Sequence, residues 1–483
     1  MIRLSELKLP LSALPVQERR ASDAPAETDD DRKLAPHPIT ELRRLAALAL
    51  GIGENNISAL TVFKRSFDAR KQNLLVVYIV DISVSDAALE KSLLTKYAKN
   101  SHIQATPNMT WQPPVHAPAN WGHEEHARPV VVGFGPCGIF AALVLAQMGL
   151  KPIVIERGTP VRQRTKDTWG LWRKHILNPR SNVQFGEGGA GTFSDGKLYS
   201  QIKDPRHLGR KVMQEFVRFG APEDILFAAH PHIGTFKLVK VVEGLREEII
   251  RLGGEVRFEQ RVVDIEYEAS TRHTTPSNLD KHVTQQVVAL RIQDYVRDET
   301  YNLPARHVVL ALGHSARDTF TMLHRHGVSM QAKPFSIGVR IEHPQGLIDR
   351  ARWGVHAGHP MLGAADYKLV HHASNGRAVY SFCMCPGGII APCATSAGEV
   401  VTNGWSPSKR NNPFANSGIV VSIENVDLKN YSEHGVLAGL RYQQWLEQKA
   451  CATAGGNQTA PAQRLLDFIQ GKESAWLPEN SYQ

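Results

Sequence analysis

The sequence has few cysteines, no long apolar run and no block of basic residues. Its five cysteines are sparse and odd in number, which argues against a disulfide scaffold and for a reducing compartment, the cytoplasm. No apolar run reaches the ~18 residues that a membrane span needs. The longest candidate, residues 130–150, is broken by four glycines and one proline. The N-terminus lacks the apolar core of a secretory signal. We therefore expect a cytoplasmic protein without a membrane partner.

The composition is that of an ordinary globular protein with a basic balance. The chain has 483 residues, which is enough for about three domains of ~150 residues. Its formal net charge of +9 attracts phosphates on nucleic acids, membranes or cofactors. Because the basic residues form no run, the interpretation is a mildly basic surface without a specific nucleic-acid partner.

Residues 1–105 have the pattern of a small α+β domain. Strands are predicted at Ile2–Leu9, Ile57–Phe67, Asn73–Ile82 and His102–Ala105, with helices starting near Thr40 and Ser85 as caps. This β-α-β-β-α-β order is typical of a ferredoxin-like fold. The polar residues 15–37 are predicted to be a flexible insertion.

The remaining boundaries follow from changes in composition. A Pro-rich linker is predicted over 106–128, followed by a βαβ pattern. A cofactor domain is predicted in two segments, 129–205 and 206–310, with a polar loop at 269–282. A β-rich substrate region follows over 311–430, strand-like from 334 to 422, and then a helical C-terminal part over 431–483.

A dinucleotide fingerprint provides the strongest functional signal. An apolar strand leads directly into Gly133, Gly135 and Gly138, spaced as G-x-G-x-x-G, and then into a helix. Gly133 permits a tight turn, Gly135 lets the backbone approach a pyrophosphate, and Gly138 allows close packing of helix and sheet. The helix N-terminus supplies N–H groups and positive dipole for phosphates. The alternative is an ordinary strand–helix turn that needs three glycines.

Glu156 ends the next predicted strand, 23 residues after Gly133. A carboxylate at this position can accept hydrogen bonds from both hydroxyls of a ribose. It would repel the 2′-phosphate of NADP, so the pattern favours FAD or NAD.

Downstream motifs favour FAD over NAD. The sequence motifs around Gly133–Gly138 and Ile155–Gly158 resemble the FAD-binding segment of the glutathione-reductase-like flavoproteins. A second glycine-rich loop spans residues 185–197, and an apolar strand from Val308 ends in a turn at Gly313, with Leu312 where that superfamily usually has Thr. Plain turn chemistry is the alternative for each loop taken alone. The resemblance implies further cofactor-binding residues: Pro136, Cys137, Arg157, Gly188, Gly189, Gly191, Thr192, Val263 and Gly313.

Longer motifs sharpen the resemblance. They are GEGGAGTFSDGKL, LGHSARD, GVRIEHPQ and SFCMCPGG, preceded by KRSFDARK in the N-terminal region. The chain resembles a bacterial family usually called FAD-dependent dehydrogenases of unknown substrate. The implied fold is α/β: a three-layer FAD/NAD-binding Rossmann-like domain, an inserted β-rich substrate domain and the small ferredoxin-like domain. The family name implies redox chemistry but no agreed catalytic residue.

The sequence departs from this family at its C-terminal end. The family continues to a G-E-G-A-G-Y-like segment that holds part of the FAD, whereas this chain ends at Asn480-Ser-Tyr-Gln483. The expectation is a truncated or frame-shifted product with weakened FAD binding.

Several polar residues outside these motifs have alternative interpretations. Cys383 and Cys385 form either a redox pair or, as we favour, a buried structural pair, because alternate strand residues lie ~6.5 Å apart. His230 and His232 lack a second ligand pair, so no metal site is expected. His314 either approaches the flavin or serves in the loop.

Two charged groups also have alternative interpretations. Arg340 and Glu342, on one strand face, either line the substrate cavity or pair with each other. Lys64, Arg65, Arg70 and Lys71 form a basic patch, interpreted as a solvated strand edge.

Three functions are therefore compared. The first is an FAD-dependent oxidoreductase acting on a small molecule, with an electron donor or acceptor such as NAD(P)H. The second is an FAD-dependent RNA-modifying protein, for which only Phe63 and Phe67 qualify as stacking residues near the basic patch. The third is a non-catalytic nucleotide-binding remnant. The sequence favours the first.

Overall fold

The structure is a computed structural model that describes residues 1–14, 37–70, 73–122, 128–200, 202–269 and 285–482. Apart from their end residues 37 and 269, the predicted insertion over 15–37 and the predicted loop over 269–282 lie outside the described residues. Part of the predicted linker, residues 123–127, also lies outside them, as does Lys71 of the basic patch.

Both parallel and antiparallel sheets occur, so the fold is mixed α/β. In chain order the strands are β1 (Ile2–Pro10), β2 (Ile57–Asp68), β3 (Leu75–Val84), β4 (Ile103–Ala105), β5 (Val130–Val132), β6 (Ile153–Ile155), β7 (Glu255–Arg257), β8 (Gln260–Ala269), β9 (Gln285–Asp294), β10 (Glu299–Pro304), β11 (Val308–Leu310), β12 (Phe335–Pro344), β13 (Val370–His372), β14 (Ala378–Cys385), β15 (Ile389–Cys393), β16 (Val401–Trp405) and β17 (Phe414–Ile423). The α-helices are α1 (Ile39–Leu50), α2 (Ala87–Lys96), α3 (Pro136–Gln147), α4 (Val161–Lys174), α5 (Leu208–Arg218), α6 (Thr235–Arg251), α7 (Arg317–Arg325), α8 (Gln345–Trp353), α9 (Ala438–Thr453) and α10 (Leu465–Gln470). Among the described residues, no helix combines the length and apolar character that a membrane crossing requires.

The chain forms two compact units, and the first comprises Met1–Trp111, Lys197–Ile233 and Gln345–Asp366. Its sheet has the order β2-β3-β1-β4 with every neighbouring pair antiparallel. The element order β-α-β-β-α-β is the predicted one. Alternate residues of β3, from Val76 to Ile82, are fully buried, as expected of a strand with one face on the core.

Two predicted helix caps in this unit are wrong. Helix α1 begins at Ile39 behind Pro38, without a side-chain cap, so Thr40 already lies inside the helix. Helix α2 is capped by Asp86, whose carboxylate accepts a hydrogen bond from the Leu89 N–H at 2.8 Å. Asp86, and not Ser85, is the last residue with extended backbone, and a capping side chain must come from that position.

The later segments of the first unit were not apparent from local pattern. Arg65 on β2 donates its N–H to the Phe227 carbonyl at 2.7 Å and accepts one from Ala229 at 3.0 Å. These bonds join residues far apart in sequence, so no local periodicity indicates them. Helix α8 also interrupts the region predicted as strand-like, and residues 345–353 contain only one β-branched residue, Ile348.

The second unit comprises Gln112–Gly196, Gly234–Pro344 and Tyr367–Gln483. Its parallel sheet has the order β11-β5-β6-β7. Strands β5 and β6 are short, wholly apolar and buried, which is typical of strands covered on both faces. The sheets β10-β9-β8 and β12-β17-β14-β13 and the hairpin β15-β16 complete its strands.

Three helical segments lie in the C-terminal part of the chain. A 3-10 helix covers Asn425–Leu437, and α9 and α10 follow. Arg340 and Glu342 of β12 have separate partners. Arg340 donates to the Asn416 side chain at 2.6 Å, and Glu342 accepts the Ser481 N–H at 2.9 Å.

Candidate functional site

A cavity of about 380 Å³ lies in the second unit where three parallel strands end. Val132, Ile155 and Leu310, the last residues of β5, β6 and β11, contribute to its wall. The carboxyl ends of parallel strands are the usual place for ligands in open α/β sheets, because the loops that follow neighbouring strands meet there.

The first glycine loop, residues 133–138, forms one wall of the cavity. Gly133 has a φ of +97°, and a Cβ at this position would lie 2.5 Å from the Ala311 carbonyl oxygen. A Cβ at Gly138 would lie 1.9 Å from the Gly133 oxygen. Gly133 is therefore required by its positive φ and the close approach of Ala311, and Gly138 by the close approach of helix α3 to the turn.

Gly135 differs from its two neighbours. A Cβ at Gly135 would have its nearest contact with the Gly189 Cα at 3.5 Å, an ordinary van der Waals distance. The protein itself does not require glycine here. A requirement at this position would have to come from a ligand.

The second glycine loop, residues 185–191, packs against the first. Gly188 donates its N–H to the Phe134 carbonyl at 2.8 Å. A Cβ at Gly189 would lie 2.8 Å from the Gly135 Cα. Gly186, Gly188 and Gly189 all have positive φ, which only glycine adopts readily. The two loops thus form one continuous backbone surface at the cavity.

A fully buried arginine holds the second loop in place. Arg164 of α4 donates to the carbonyl oxygens of Asn182, Val183 and Glu187. Burial lowers its pKa to about 10, so the guanidinium stays charged at neutral pH. Arg164 was not predicted as a site residue, since an arginine within an amphipathic helix carries no local sign of burial.

Glu187, within the second loop, is also buried and paired. Its carboxylate accepts the Val161 N–H at 2.7 Å and a hydrogen bond from Arg246 at 2.6 Å. Burial raises the pKa of Glu187 above its ordinary value. The loop is therefore held at two points by buried charged groups.

Glu156 connects the two glycine loops through backbone hydrogen bonds. One carboxylate oxygen, Oε2, accepts the Phe134 N–H at 2.8 Å. The other, Oε1, accepts the N–H groups of Gly158 at 2.9 Å and Gly186 at 3.0 Å. A carboxylate has about four acceptor positions, so only Oε2 keeps a free one. Glu156 could therefore accept a hydrogen bond from one ribose hydroxyl instead of two, and this role stays a prediction.

The cavity brings together most of the predicted cofactor-binding residues. Those that line it are Gly133, Gly135, Pro136, Cys137, Glu156, Arg157, Gly189, Gly191 and Gly313. The predicted residues Gly138, Gly188, Thr192 and Val263 are not part of its wall. Gly138 and Gly188 shape the loops behind it, and Thr192 is buried beside Arg164.

Val263 lies at a β-bulge and is not part of the cavity wall. In β8, Val262 pairs with Ile292 and Asp264 pairs with Arg291, which leaves Val263 as the extra residue. Val262 lines the cavity in its place. A bulge shifts the face on which side chains lie, and the sequence pattern alone does not show where it occurs.

The turn after β11 contributes His314 and Ser315 to the wall. Burial, with a smaller effect of the nearby Arg317 guanidinium, lowers the pKa of His314, so its imidazole is neutral at neutral pH. The Ser315 hydroxyl donates to the side-chain oxygen of Gln184, which directly precedes the second loop. Gln184 was not predicted as a site residue.

A buried charged cluster anchors the helix that follows this turn. Arg317, the first residue of α7, donates to Glu399 at 2.9 Å and to Glu447 of α9 at 2.8 Å. Both carboxylates are almost fully buried, and burial raises the pKa of Glu447. The cluster ties the cavity turn to the C-terminal part of the chain.

In the first unit, the aromatic residues near the basic patch are already in contact with other side chains. The Phe63 ring lies 3.6 Å from the Arg3 guanidinium carbon and 5.6 Å from that of Arg210. Phe67 packs edge-on against Trp353. Base stacking needs an open aromatic face, so this arrangement gives the RNA hypothesis no support.

Neither the cysteines nor the histidines His230 and His232 belong to a metal-binding cluster in the described residues. Within the described residues, no disulfide joins any of the five cysteines, and Cys385 is buried while Cys383 is half-buried. Within the described ranges, no group of three or more His, Cys, Asp or Glu residues has the arrangement of a metal site.

Comparison with known families finds matches in the C-terminal and N-terminal parts of the chain. Residues 334–483 match a family described as "FAD-dependent protein, C-terminal domain-like", and residues 1–83 match a domain of unknown function. An uncharacterized protein of Clostridium beijerinckii is 41% identical over 444 residues, covering 91% of this chain and 77% of that protein. The chain belongs to the same family as this clostridial protein.

Solved structures show only a distant likeness. A glycerol-3-phosphate dehydrogenase from Bacillus halodurans, complexed with FAD, is 12% identical with a TM-score of 0.29, covering 67% of this chain and 54% of that one. A 3-ketosteroid-delta4-(5alpha)-dehydrogenase from Rhodococcus jostii RHA1 is 14% identical with a TM-score of 0.29, covering 56% and 69%. Scores this low carry no argument about the site.

Proposed function

We propose that this chain is an FAD-dependent oxidoreductase and that its cavity holds the ADP half of FAD. The observation that carries the proposal is the convergence of both glycine loops and Glu156 on one cavity at the carboxyl ends of β5, β6 and β11. The match of residues 334–483 to an FAD-dependent family supports the choice of FAD. On this proposal the second unit contains the Rossmann-like cofactor domain with a β-rich substrate region.

The chemistry of the wall fits a ribose diphosphate. Helix α3 begins at the cavity with Pro136 and Cys137, and the first N–H groups of a helix have no partner within it. Since Pro136 has no N–H, the N–H group of Cys137 is the donor for a phosphate at the wall, reinforced by the helix dipole. The volume of about 380 Å³ falls at the lower end of the ~300–1,000 Å³ of small-molecule sites, which suits part of a dinucleotide.

Each wall element has a role in this proposal. The backbone surface of the two loops, close-packed at Gly135 and Gly189, takes the diphosphate without side-chain interference. Glu156 accepts one ribose hydroxyl through Oε2 while its other bonds hold the loops together. Val262 occupies the position that we had assigned to Val263, beside the nucleotide.

The protein residues bind and orient, and the cofactor supplies the reactivity. When bound, FAD provides the hydride-accepting ring that an oxidoreductase needs. The neutral His314 can exchange hydrogen bonds in the cavity without adding positive charge. We propose a small-molecule substrate and an electron partner such as NAD(P)H, and we name no catalytic residue.

A spectrum and a titration test the proposal. We expect the purified chain, or the chain after addition of FAD, to show protein-bound flavin absorption near ~450 nm, since the chromophore is the cofactor's own. Gly135→Val should abolish binding of FAD and of ADP, because its side chain would enter the space for the diphosphate. The control Gly53→Val changes a glycine of the first unit with extended backbone and no close neighbour, and should leave binding unchanged. A folded Gly135→Val variant that binds ADP normally would overturn the phosphate assignment.

A further inference from the structure

Two arginines in the cavity wall share one carboxylate that lies outside the wall. Arg157 directly follows Glu156, and Arg261 is the second residue of β8; both line the cavity. Asp318, in the first turn of α7, pairs with Arg157 at 3.0 Å through Oδ1 and with Arg261 at 3.2 Å through Oδ2. Asp318 itself is not part of the wall.

The arrangement is fixed by further contacts. Arg157 also donates to the Thr319 hydroxyl at 3.1 Å, and its guanidinium carbon lies 4.6 Å from the Phe185 ring centre. Burial by itself raises the pKa of Asp318, but Arg157 and Arg261 outweigh that effect and the pKa is lowered. Asp318 is therefore ionised at neutral pH.

The charges at this end of the cavity balance. Arg157 and Arg261 contribute two positive charges, and Glu156 and Asp318 contribute two negative ones. Paired guanidinium groups are a favourable site for a phosphate, which they bind through several charge-assisted hydrogen bonds. The Asp318 carboxylate occupies those donors instead.

We infer that Asp318 is a specificity-determining residue that makes the cavity select adenosine nucleotides with a free 2′-hydroxyl over those with a 2′-phosphate. The inference rests on the proposed function, since it needs the ribose to lie at Glu156 beside Arg157. Glu156 disfavours the 2′-phosphate by repulsion. Asp318 disfavours the 2′-phosphate in a second way. Because Asp318 forms ion pairs with Arg157 and Arg261, these two guanidinium groups do not offset the repulsion between Glu156 and the phosphate.

The second unit contains a matched control. Glu255 of β7 also lies between two arginines, at 3.2 Å from Arg128 and 2.7 Å from Arg257. Its side chain is 41% exposed, against 40% for Asp318. Glu255, Arg128 and Arg257 are not part of the cavity wall. Glu255→Gln thus removes the same kind of charge without touching the site.

The test is calorimetric titration of the full chain with ADP-ribose and with 2′-phospho-ADP-ribose, two probes that differ by one phosphate. We expect the unmodified chain to bind ADP-ribose at least tenfold more tightly. In Asp318→Asn, the affinity for the 2′-phosphate probe should rise at least tenfold and fall again at high salt, while ADP-ribose changes less than about threefold. Glu255→Gln should leave the ratio unchanged.

A second variant moves the ratio in the opposite direction. Arg261→Gln leaves Asp318 with one cationic partner fewer, so the preference for ADP-ribose over the 2′-phosphate probe should increase. This variant tests the inference even if Asp318→Asn does not fold. Normal ADP-ribose binding with the same ratio in both cavity variants would overturn the inference and leave the proposed function standing. Binding of neither probe by the unmodified chain would overturn both.

Discussion

The two glycine loops meet at the same cavity but are held in different ways. In the first loop, the glycines at 133 and 138 are required by backbone atoms 2.5 and 1.9 Å from the position of an added Cβ. The second loop depends on side chains from elsewhere in the chain: Arg164, Arg246 and Glu156. The glycines of the first loop are thus fixed by close approaches of backbone atoms, whereas the second loop is held by hydrogen bonds with side chains.

The largest effect that tests this difference is the loss of Arg164. Arg164→Met leaves three buried carbonyl groups without their donor, and we expect the free energy of unfolding to fall by about 3–5 kcal/mol. Urea denaturation followed by circular dichroism measures this change.

The control for this prediction lies in the same helix. Arg162 is 72% exposed and pairs with Glu243 at 2.7 Å. Arg162→Met should cost less than about 1 kcal/mol, because exposed ion pairs contribute little. Equal losses in the two variants would show that the burial of Arg164 has no special importance.

The next effect concerns the carboxylate that joins the loops. Glu156→Gln replaces one acceptor oxygen by an NH₂ group that faces backbone N–H donors. We expect a loss of about 1.5–3 kcal/mol in the free energy of unfolding, together with weaker ADP binding. Denaturation and calorimetry on the same preparation separate the two. If only ADP binding weakens, Glu156 does not stabilise the loops.

A third comparison lies within the first loop. Gly138→Ala forces a Cβ against the Gly133 carbonyl, so we expect a loss of about 1–3 kcal/mol in stability. Gly135→Ala has room for its Cβ in the protein and should unfold at nearly the same urea concentration as the unmodified chain. Its effect should appear in FAD affinity instead. A stability loss in Gly135→Ala as large as that in Gly138→Ala would remove the distinction.

The smallest effect is the pH dependence that Glu187 adds to the second loop. Its folded pKa is raised above the ordinary 4.5 mainly by burial, so the folded chain binds the proton more tightly than the unfolded one. The stabilisation is present below pH 4.5 and is lost as pH rises through the folded pKa.

The urea midpoint measured at several pH values tests this sign. Glu187→Gln should flatten the fall of the midpoint above pH 4.5. Glu433→Gln, at a side chain that is 78% exposed, should not. A midpoint that depends on pH identically in the Glu187→Gln variant and the unmodified chain would contradict the prediction.

The sequence was sufficient for elements with local causes. The apolar strands β5 and β6, the turn at Gly133 and the position of Glu156 at a strand end all follow from short-range pattern. The order of strands and helices in residues 1–105 does so as well. The two cap predictions failed because Thr40 and Ser85 both have side chains that can cap, and only the backbone decides which residue starts the helix.

The rest depends on contacts between distant residues. Val262 lines the cavity where Val263 was predicted, and Val263 is the extra residue of a bulge in the pairing of β8 with β9. The burial of Arg164, and the pairing of Asp318 with Arg157 and Arg261, join segments far apart in sequence. Charged residues in amphipathic helices are usually solvated, so neither position had a local signal.

Hydrogen–deuterium exchange of the full chain with and without saturating FAD tests the central claim most directly. If the cavity is the cofactor site, FAD should slow exchange in both glycine loops, residues 133–138 and 185–191, and in the turn after β11, while β2 and β3 of the first unit exchange as before. Unchanged exchange in both loops, or protection confined to other segments, would contradict the account.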